Sequence, residues 1–126
     1  MGGRGGSSTR NSESFYSPQL SGSEKQKSWA RDILSEPYIN AGYRVKKNLE
    51  LNRQTNGGAR SNFAVEAEAY RSAQKIYNEQ IKLMEKRAGG TIPAKTIIDR
   101  RFSFKSAMEK IIFQELDKRG KNPFKR

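Results

Sequence analysis

The side chains with the most evident chemistry in this sequence are its lysines and arginines. They number 25, against 13 aspartates and glutamates, and give the 126-residue chain a formal net charge of +12. A positive field of this size is typical of proteins that bind polyanions, since each neutralised phosphate releases condensed counterions. The candidate binding residues are basic side chains in two sequence clusters, with one neighbouring tyrosine. They are Tyr43, Arg44, Lys46, Lys47 and Arg53 in the first cluster, and Arg100, Arg101, Lys105, Lys118, Arg119 and Lys121 in the second.

The two clusters flank a segment of nearly balanced charge. Residues 61–88 carry five basic and four acidic side chains, whereas residues 23–60 carry eight and four, and residues 89–126 carry ten and four. The excess of positive charge therefore lies at 44–53 and 100–126, and the two clusters could frame one groove. The alternative is that both are ordinary solvated surfaces that keep a small protein soluble.

Catalytic chemistry has few candidate residues here. The sequence has no histidine and no cysteine, so the commonest general base, the commonest metal ligands and the thiolate nucleophile are missing. Glu66 and Glu68 are two residues apart and point to different faces of a helix, while Asp99 and Glu109 lie among basic side chains that would pair with them. The residues predict a non-enzymatic binding protein with no metal and no cofactor. A carboxylate-dependent nuclease is the least favoured alternative.

Composition bounds the class of protein. Hydrophobic residues make up 33% of the chain and the mean hydropathy is −0.94, which predicts one soluble domain with a small core. No apolar run approaches the roughly 18 residues of a membrane span, and the first residues lack the apolar stretch of a secretory signal. We therefore expect no membrane partner, and the absence of cysteine fits a cytoplasmic location.

Helix signals dominate the middle of the sequence. Ser23 and Gln26 have the spacing of a capping box, and the apolar residues that follow predict a helix that ends at Pro37. Trp29 is interpreted as a core anchor of this helix, with a base-stacking surface as the less favoured alternative. Residues 38–53 mix two-residue and four-residue apolar intervals, and a helix is favoured there over a strand.

The longest predicted helix covers residues 62–88 and has a wide apolar face. That face includes Tyr70 and Tyr77, which we interpret as core residues with their hydroxyls at the rim. A short helix is expected to begin after Ile92-Pro93. Ser103 is then the predicted cap of the last helix.

The predicted domain organisation has three parts. Residues 1–22 are rich in Gly, Ser, Thr and Asn, and this composition predicts a disordered arm. Residues 23–120 predict a mostly α domain, a small bundle of about four helices, and residues 121–126 predict a basic tail. The start Gly2-Gly3-Arg4-Gly5-Gly6 has the composition of one RGG unit, a type of segment that contacts phosphates and bases, although an accidental flexible arm is favoured.

Three segments of the chain carry a resemblance to known proteins. They are Gly22-Ser23-Glu24-Lys25-Gln26-Lys27-Ser28-Trp29-Ala30-Arg31-Asp32-Ile33, the start Met1-Gly2-Gly3-Arg4-Gly5, and Ile98-Asp99-Arg100-Arg101. These segments resemble small, mostly uncharacterised proteins of bacterial phages and mobile elements. The resemblance implies a mobile-element origin and transfers no catalytic residue. Phage genes of this size include inhibitors of host immunity, such as anti-CRISPR proteins, and virion accessory proteins.

The charge pattern and the resemblance together predict a basic protein that binds nucleic acid or a nucleoprotein complex in a bacterial host cell. The resemblance implies that the complex could be a CRISPR effector with its guide RNA, which the protein would inhibit. The alternative is a phage structural or assembly protein whose basic surface meets packaged DNA or an acidic scaffold. The identity of the partner, the choice between DNA and RNA and the oligomeric state stay open.

Overall fold

Helices make up most of residues 14–121, the part of the chain that this computed structural model describes. Four helices follow one another there: α1 (Glu24–Gln54), α2 (Asn62–Arg87), α3 (Ala94–Asp99) and α4 (Arg101–Lys118). Two short strands, β1 (Leu20–Ser21) and β2 (Ile92–Pro93), pair in parallel. The predicted fold class is therefore confirmed. Residues 1–13 of the predicted arm, with the RGG unit, and residues 122–126 of the predicted tail lie outside the described residues.

Contacts between the helices define the direction of each one. α1 and α2 form an antiparallel hairpin around the loop 55–61, and the Tyr77 hydroxyl on α2 donates to the Leu34 carbonyl on α1. α4 is antiparallel to α2, because Arg119 at the end of α4 donates to the Ser72 hydroxyl in the first half of α2. α1 and α4 therefore run parallel to each other, with α2 packed against both.

The core lies between α1, α2 and α4, with α3 and the strand pair covering one end. It uses many alanines, which allow the helices to approach closely, and a smaller number of large apolar side chains. Its fully buried large side chains are Leu34, Tyr77, Ile92 and Ile97. None of the helices within residues 14–121 is long and apolar enough to cross a membrane.

Pro37 lies inside α1, so the prediction that it ends the first helix is wrong. Proline lacks the N–H that would bond the Ile33 carbonyl in the helical pattern, and two side chains of α2 hold α1 by hydrogen bonds to other carbonyls before and after the proline. The Tyr77 hydroxyl donates to the Leu34 carbonyl at 2.5 Å, and the Gln74 amide donates to the Tyr38 carbonyl at 3.0 Å. Tyr77 is 2% exposed, so its hydroxyl lies in the core and not at the rim, and this burial raises its pKa.

The other predictions for α1, its second half and its start, are confirmed. Residues 38–53 are helical throughout, which confirms the favoured prediction over a strand. The helix begins at the predicted capping box, in which Ser23 Oγ accepts from the Gln26 N–H at 3.1 Å and the Gln26 side chain accepts from the Ser23 N–H at 3.2 Å. α2 also begins as predicted, with Ser61 as its cap.

Trp29 is half exposed, so the prediction that it anchors the core is wrong. Its neighbours Ala30 and Leu34 are fully buried instead. Because consecutive helical positions are rotated by about 100°, the core face of α1 lies beside Trp29 and not beneath it.

Ser103 lies within α4 and does not cap it, which corrects the predicted start of the last helix. α4 begins at Arg101, directly after α3, and Arg100 occupies its N-cap position without a side-chain hydrogen bond. The Ser103 hydroxyl donates back to the Arg100 carbonyl at 2.7 Å. The bond satisfies the hydroxyl locally, so Ser103 is tolerated in the first turn of α4.

Residues 14–22 pack against the bundle, and the prediction of a disordered arm is wrong for them. The Tyr16 N–H donates to Asn78 Oδ1 at 2.9 Å, and the Asn78 amide donates to the Ser14 carbonyl at 2.9 Å. Leu20 is buried in the strand pair. Glu85 of α2 also accepts from the Tyr16 hydroxyl and the Gln19 N–H. Two polar residues of α2 thus hold a segment whose own composition gives little drive to fold.

Candidate functional site

A groove with a volume of about 550 Å³ runs between the parallel helices α1 and α4. It brings together residues from both basic clusters of the sequence: Tyr43 and Arg44 from α1, and Lys105 from α4. Pro37 also lines it, so the continuation of α1 past this proline is needed to form the groove. Glu109 contributes an acidic group to the α4 wall.

Arg44 is held in place by a tyrosine of α2. Its guanidinium donates to the Tyr70 hydroxyl at 3.0 Å and lies 5.6 Å from the centroid of the Tyr70 ring. Tyr70 is itself buried, which fixes one side of the guanidinium. Arginine has several N–H donors in a planar fork, so Arg44 keeps donors for an anion in the groove while its position is fixed in advance.

Tyr43 and three lysines form the exposed part of the site. Tyr43 is 64% exposed, and Lys46 and Lys47 lie within one turn of it on the exposed surface of α1. Lys105 is exposed on the opposite wall. None of the three lysines makes an ion pair with any residue of the described chain, so their charges are available to a partner.

Arg53 lies further along α1 and is already paired. It forms hydrogen bonds with both carboxylate oxygens of Glu50, one of them from Nε at 3.1 Å. The contact raises the pKa of Arg53 and, together with a hydrogen bond from Gln54, lowers the pKa of Glu50. Arg53 does not line the groove, and Glu50 offsets its charge.

The last part of the second cluster makes contacts within the protein. Lys118 and Arg119 both bind the buried carboxylate of Glu115, at 2.9 and 3.0 Å. Burial opposes the ionisation of Glu115, but the hydrogen bonds and charges of Lys118 and Arg119 outweigh it and lower its pKa. Lys121 donates to Asn62 at the start of α2. Arg119, which also donates to Ser72, and Lys121 attach the end of α4 to α2, whereas Lys118 pairs only with Glu115 on α4 itself. None of these three predicted binding residues lines the groove.

The first part of the second cluster lies at the junction of α3 and α4. Arg100 is exposed and has no ion pair among residues 14–121. Arg101 lies near two exposed aromatic rings, those of Trp29 and Phe102. Phe102 was not among the predicted binding residues. The sequence did contain a signal for it, because Phe102 is an aromatic residue outside the predicted apolar stripe of the last helix.

The acidic residues weighed as catalytic candidates are dispersed. Asp99 accepts from Lys95 at 2.9 Å, one turn away on α3. No group of three or more acidic side chains within residues 14–121 is arranged to hold a metal ion.

Comparison of the chain with protein-family models, curated proteins and solved structures gives no match. The resemblance of the opening helix to phage and mobile-element proteins therefore stays a prediction.

Proposed function

We propose that this protein acts by binding nucleic acid, free or within a nucleoprotein complex, and not by catalysis. The contact surface is the groove between α1 and α4 together with its exposed rim. The observation that supports this is the convergence of Tyr43, Arg44 and Lys105, which come from two clusters far apart in the sequence, on one groove. Phosphate groups are the ligands that such a set of cations binds best.

The arrangement of the side chains suits a phosphate backbone. Arg44 is positioned by Tyr70, while Lys46, Lys47 and Lys105 are exposed cations on flexible stems. Tyr43 offers a ring beside them for contact with a base or a sugar. If about four cations contact phosphates of a single strand, the logarithm of the binding constant should fall with a slope of about −3 against the logarithm of salt concentration. That slope corresponds to a loss of about 60-fold between about 50 and 200 mM salt.

The experiment is a binding titration by fluorescence anisotropy with labelled DNA and RNA at several salt concentrations. The double variant Lys46→Ala/Lys105→Ala should weaken binding and lower the salt slope by about 1 for each phosphate contact removed. Lys75→Ala/Lys86→Ala is the matched control, because it removes the same charge from the exposed surface of α2. Absence of binding by the unmodified protein at low salt, or equal effects of the two double variants, would contradict the proposal.

The biological setting that we propose comes from the resemblance. In the cytoplasm of a bacterial host, the basic groove would contact the guide RNA of a CRISPR effector, and the protein would inhibit the nuclease. A pull-down from host lysate, with and without nuclease treatment, tests this directly. Capture of a nucleoprotein nuclease that is lost after RNA digestion supports contact through RNA. Capture of capsid proteins would favour the structural or assembly protein instead.

A further inference from the structure

Two exposed aromatic rings share one arginine at the start of α4. The guanidinium carbon of Arg101 lies 5.8 Å from the centroid of the Trp29 ring and 4.9 Å from that of the Phe102 ring. Trp29 is 50% exposed and Phe102 is 77% exposed. Side chains of this size are usually buried, so two exposed rings from different helices around one cation form a feature that core packing does not explain.

Arg101 is fixed by the backbone beneath it. Its Nη1 donates to the Ile98 carbonyl near the end of α3 at 3.0 Å, which uses one donor of the guanidinium and leaves the others available. Arg100 precedes it and Lys105 follows one helical turn later, and both are exposed without an ion pair in the described chain. The rings are therefore bordered by cations on the α4 side.

We propose that Trp29, Arg101 and Phe102 form a stacking platform for unpaired bases, so that the preferred ligand of this protein is single-stranded nucleic acid. The proposal rests on the proposed function and narrows it to one class of ligand. In a duplex the base faces are stacked on one another and only the base edges are accessible. In a single strand the faces are free, and aromatic side chains beside arginine bind them with little sequence preference.

The charges around Trp29 also give the path of the strand. On α1, Asp32 and Glu36 line a surface next to Trp29, where they repel phosphates, whereas α4 carries Lys105, a cation unpaired within residues 14–121, one turn after Arg101. The backbone of a bound strand should therefore follow α4, from Arg101 towards Lys105. Lys105 also lines the groove with Tyr43 and Arg44, so the platform and the groove form one continuous contact surface.

Trp29 is the only tryptophan of the chain, which makes its fluorescence a direct report on the platform. The titration uses poly(dT), poly(U) and a DNA duplex of matched length. We expect both single strands to quench the fluorescence of Trp29 and to bind more tightly than the duplex. The ratio of the affinities for poly(dT) and poly(U) shows whether DNA or RNA is preferred.

Phe102→Ala is the deciding variant, because Phe102 is highly exposed and its removal leaves the core intact. It should weaken single-strand binding by about 5- to 100-fold, leave duplex binding unchanged and leave the salt slope unchanged, since no charge is lost. Trp29→Phe should retain most of the affinity that Trp29→Ala loses. Leu83→Ala, which removes an exposed apolar side chain from α2, is the control and should change nothing.

The possible failures have different signatures. If duplex and single strands bind equally and Phe102→Ala has no effect, the platform is refuted while binding through the groove survives. If none of the three ligands binds at low salt, the proposed function fails and the platform fails with it. If binding is tight and Trp29 is not quenched, the strand does not stack on this surface and the platform is again refuted.

Discussion

Replacement of Tyr77 with Phe tests how α1 continues past Pro37, on which the wall of the groove depends. Tyr77 is 2% exposed, and its hydroxyl donates to the Leu34 carbonyl at 2.5 Å. The substitution removes only this hydroxyl and takes one of two donors from the Leu34 carbonyl, which is also the helical acceptor of the Tyr38 N–H. The loss of one buried hydrogen bond between the two helices should cost about 1 kcal/mol.

Urea unfolding followed by circular dichroism measures this loss as a lower midpoint with an unchanged slope. The corresponding decrease in melting temperature is on the order of 4 °C for a domain of this size. Tyr43→Phe is the matched control. Tyr43 is exposed and its hydroxyl has no partner within residues 14–121, so its removal should change stability by less than about 0.5 kcal/mol.

A double-mutant cycle with Pro37→Ala separates the two contributions. Alanine restores an N–H that bonds the Ile33 carbonyl in the helical pattern, and not the Leu34 carbonyl that Tyr77 bonds. The cost of Tyr77→Phe should therefore be the same with proline or alanine at position 37, within about 0.5 kcal/mol. The reasoning is refuted if Tyr77→Phe and Tyr43→Phe have the same stability. It is also refuted if the cost of Tyr77→Phe disappears in the Pro37→Ala background, because the hydroxyl would then act only as a substitute for the missing proline N–H.

Three further predictions concern stability. The pKa of Glu115 is lowered in the folded protein, so its contribution is complete above the pKa of the unfolded chain and is lost as the pH falls through the folded pKa. Glu115→Gln should therefore cost about 1–2 kcal/mol near neutral pH, and its unfolding free energy should converge on that of the unmodified protein in acid; a gap that persists in acid would contradict this. Gly90 has φ of +102° and open space around its missing Cβ, so Gly90→Ala should cost about 1–2 kcal/mol in thermal melts, whereas Gly58→Ala, also in open space but without a positive φ, should not lower stability. Equal effects of the two would exclude backbone strain as the cause. Leu34→Ala should lower the free energy of unfolding by about 2–5 kcal/mol, measured by calorimetry, because Leu34 is fully buried. Trp29→Ala should lower it by less; a larger loss for Trp29→Ala would show that Trp29 is the core residue after all.

Local hydrogen-bond patterns in this chain could be predicted from the sequence, and contacts between distant segments could not. The capping box of Ser23 and Gln26 closes within three residues, so its spacing was sufficient. The hydrogen bonds that hold α1 on both sides of Pro37 come from Gln74 and Tyr77 on another helix. A rule about proline in an isolated helix therefore predicts the wrong end of α1.

The position of Trp29 shows a second limit of sequence patterns. Trp29 and Ile33 have helical spacing, and so do Ala30 and Leu34, with the two pairs rotated by about 100°. Hydrophobicity favours the first pair, but the second pair is fully buried. Ala30 is buried because its small side chain allows a neighbouring helix to pack closely against α1. The sequence of α1 alone does not show where that neighbouring helix lies.

The basic clusters differ in what their charges can do for binding. Arg53 and Arg119 have acidic partners three or four residues away, a pairing that helical spacing makes visible in the sequence. The sequence suggested that the two clusters could frame one groove, but which residues meet there, Arg44 and Lys105, depends on the parallel packing of α1 and α4. Because paired cations still add to the long-range field, Arg53→Ala should mainly slow association with a polyanion. Lys105→Ala removes an unpaired cation from the groove itself and should mainly speed dissociation, so stopped-flow rates of the two variants distinguish a directed site from a generally basic surface.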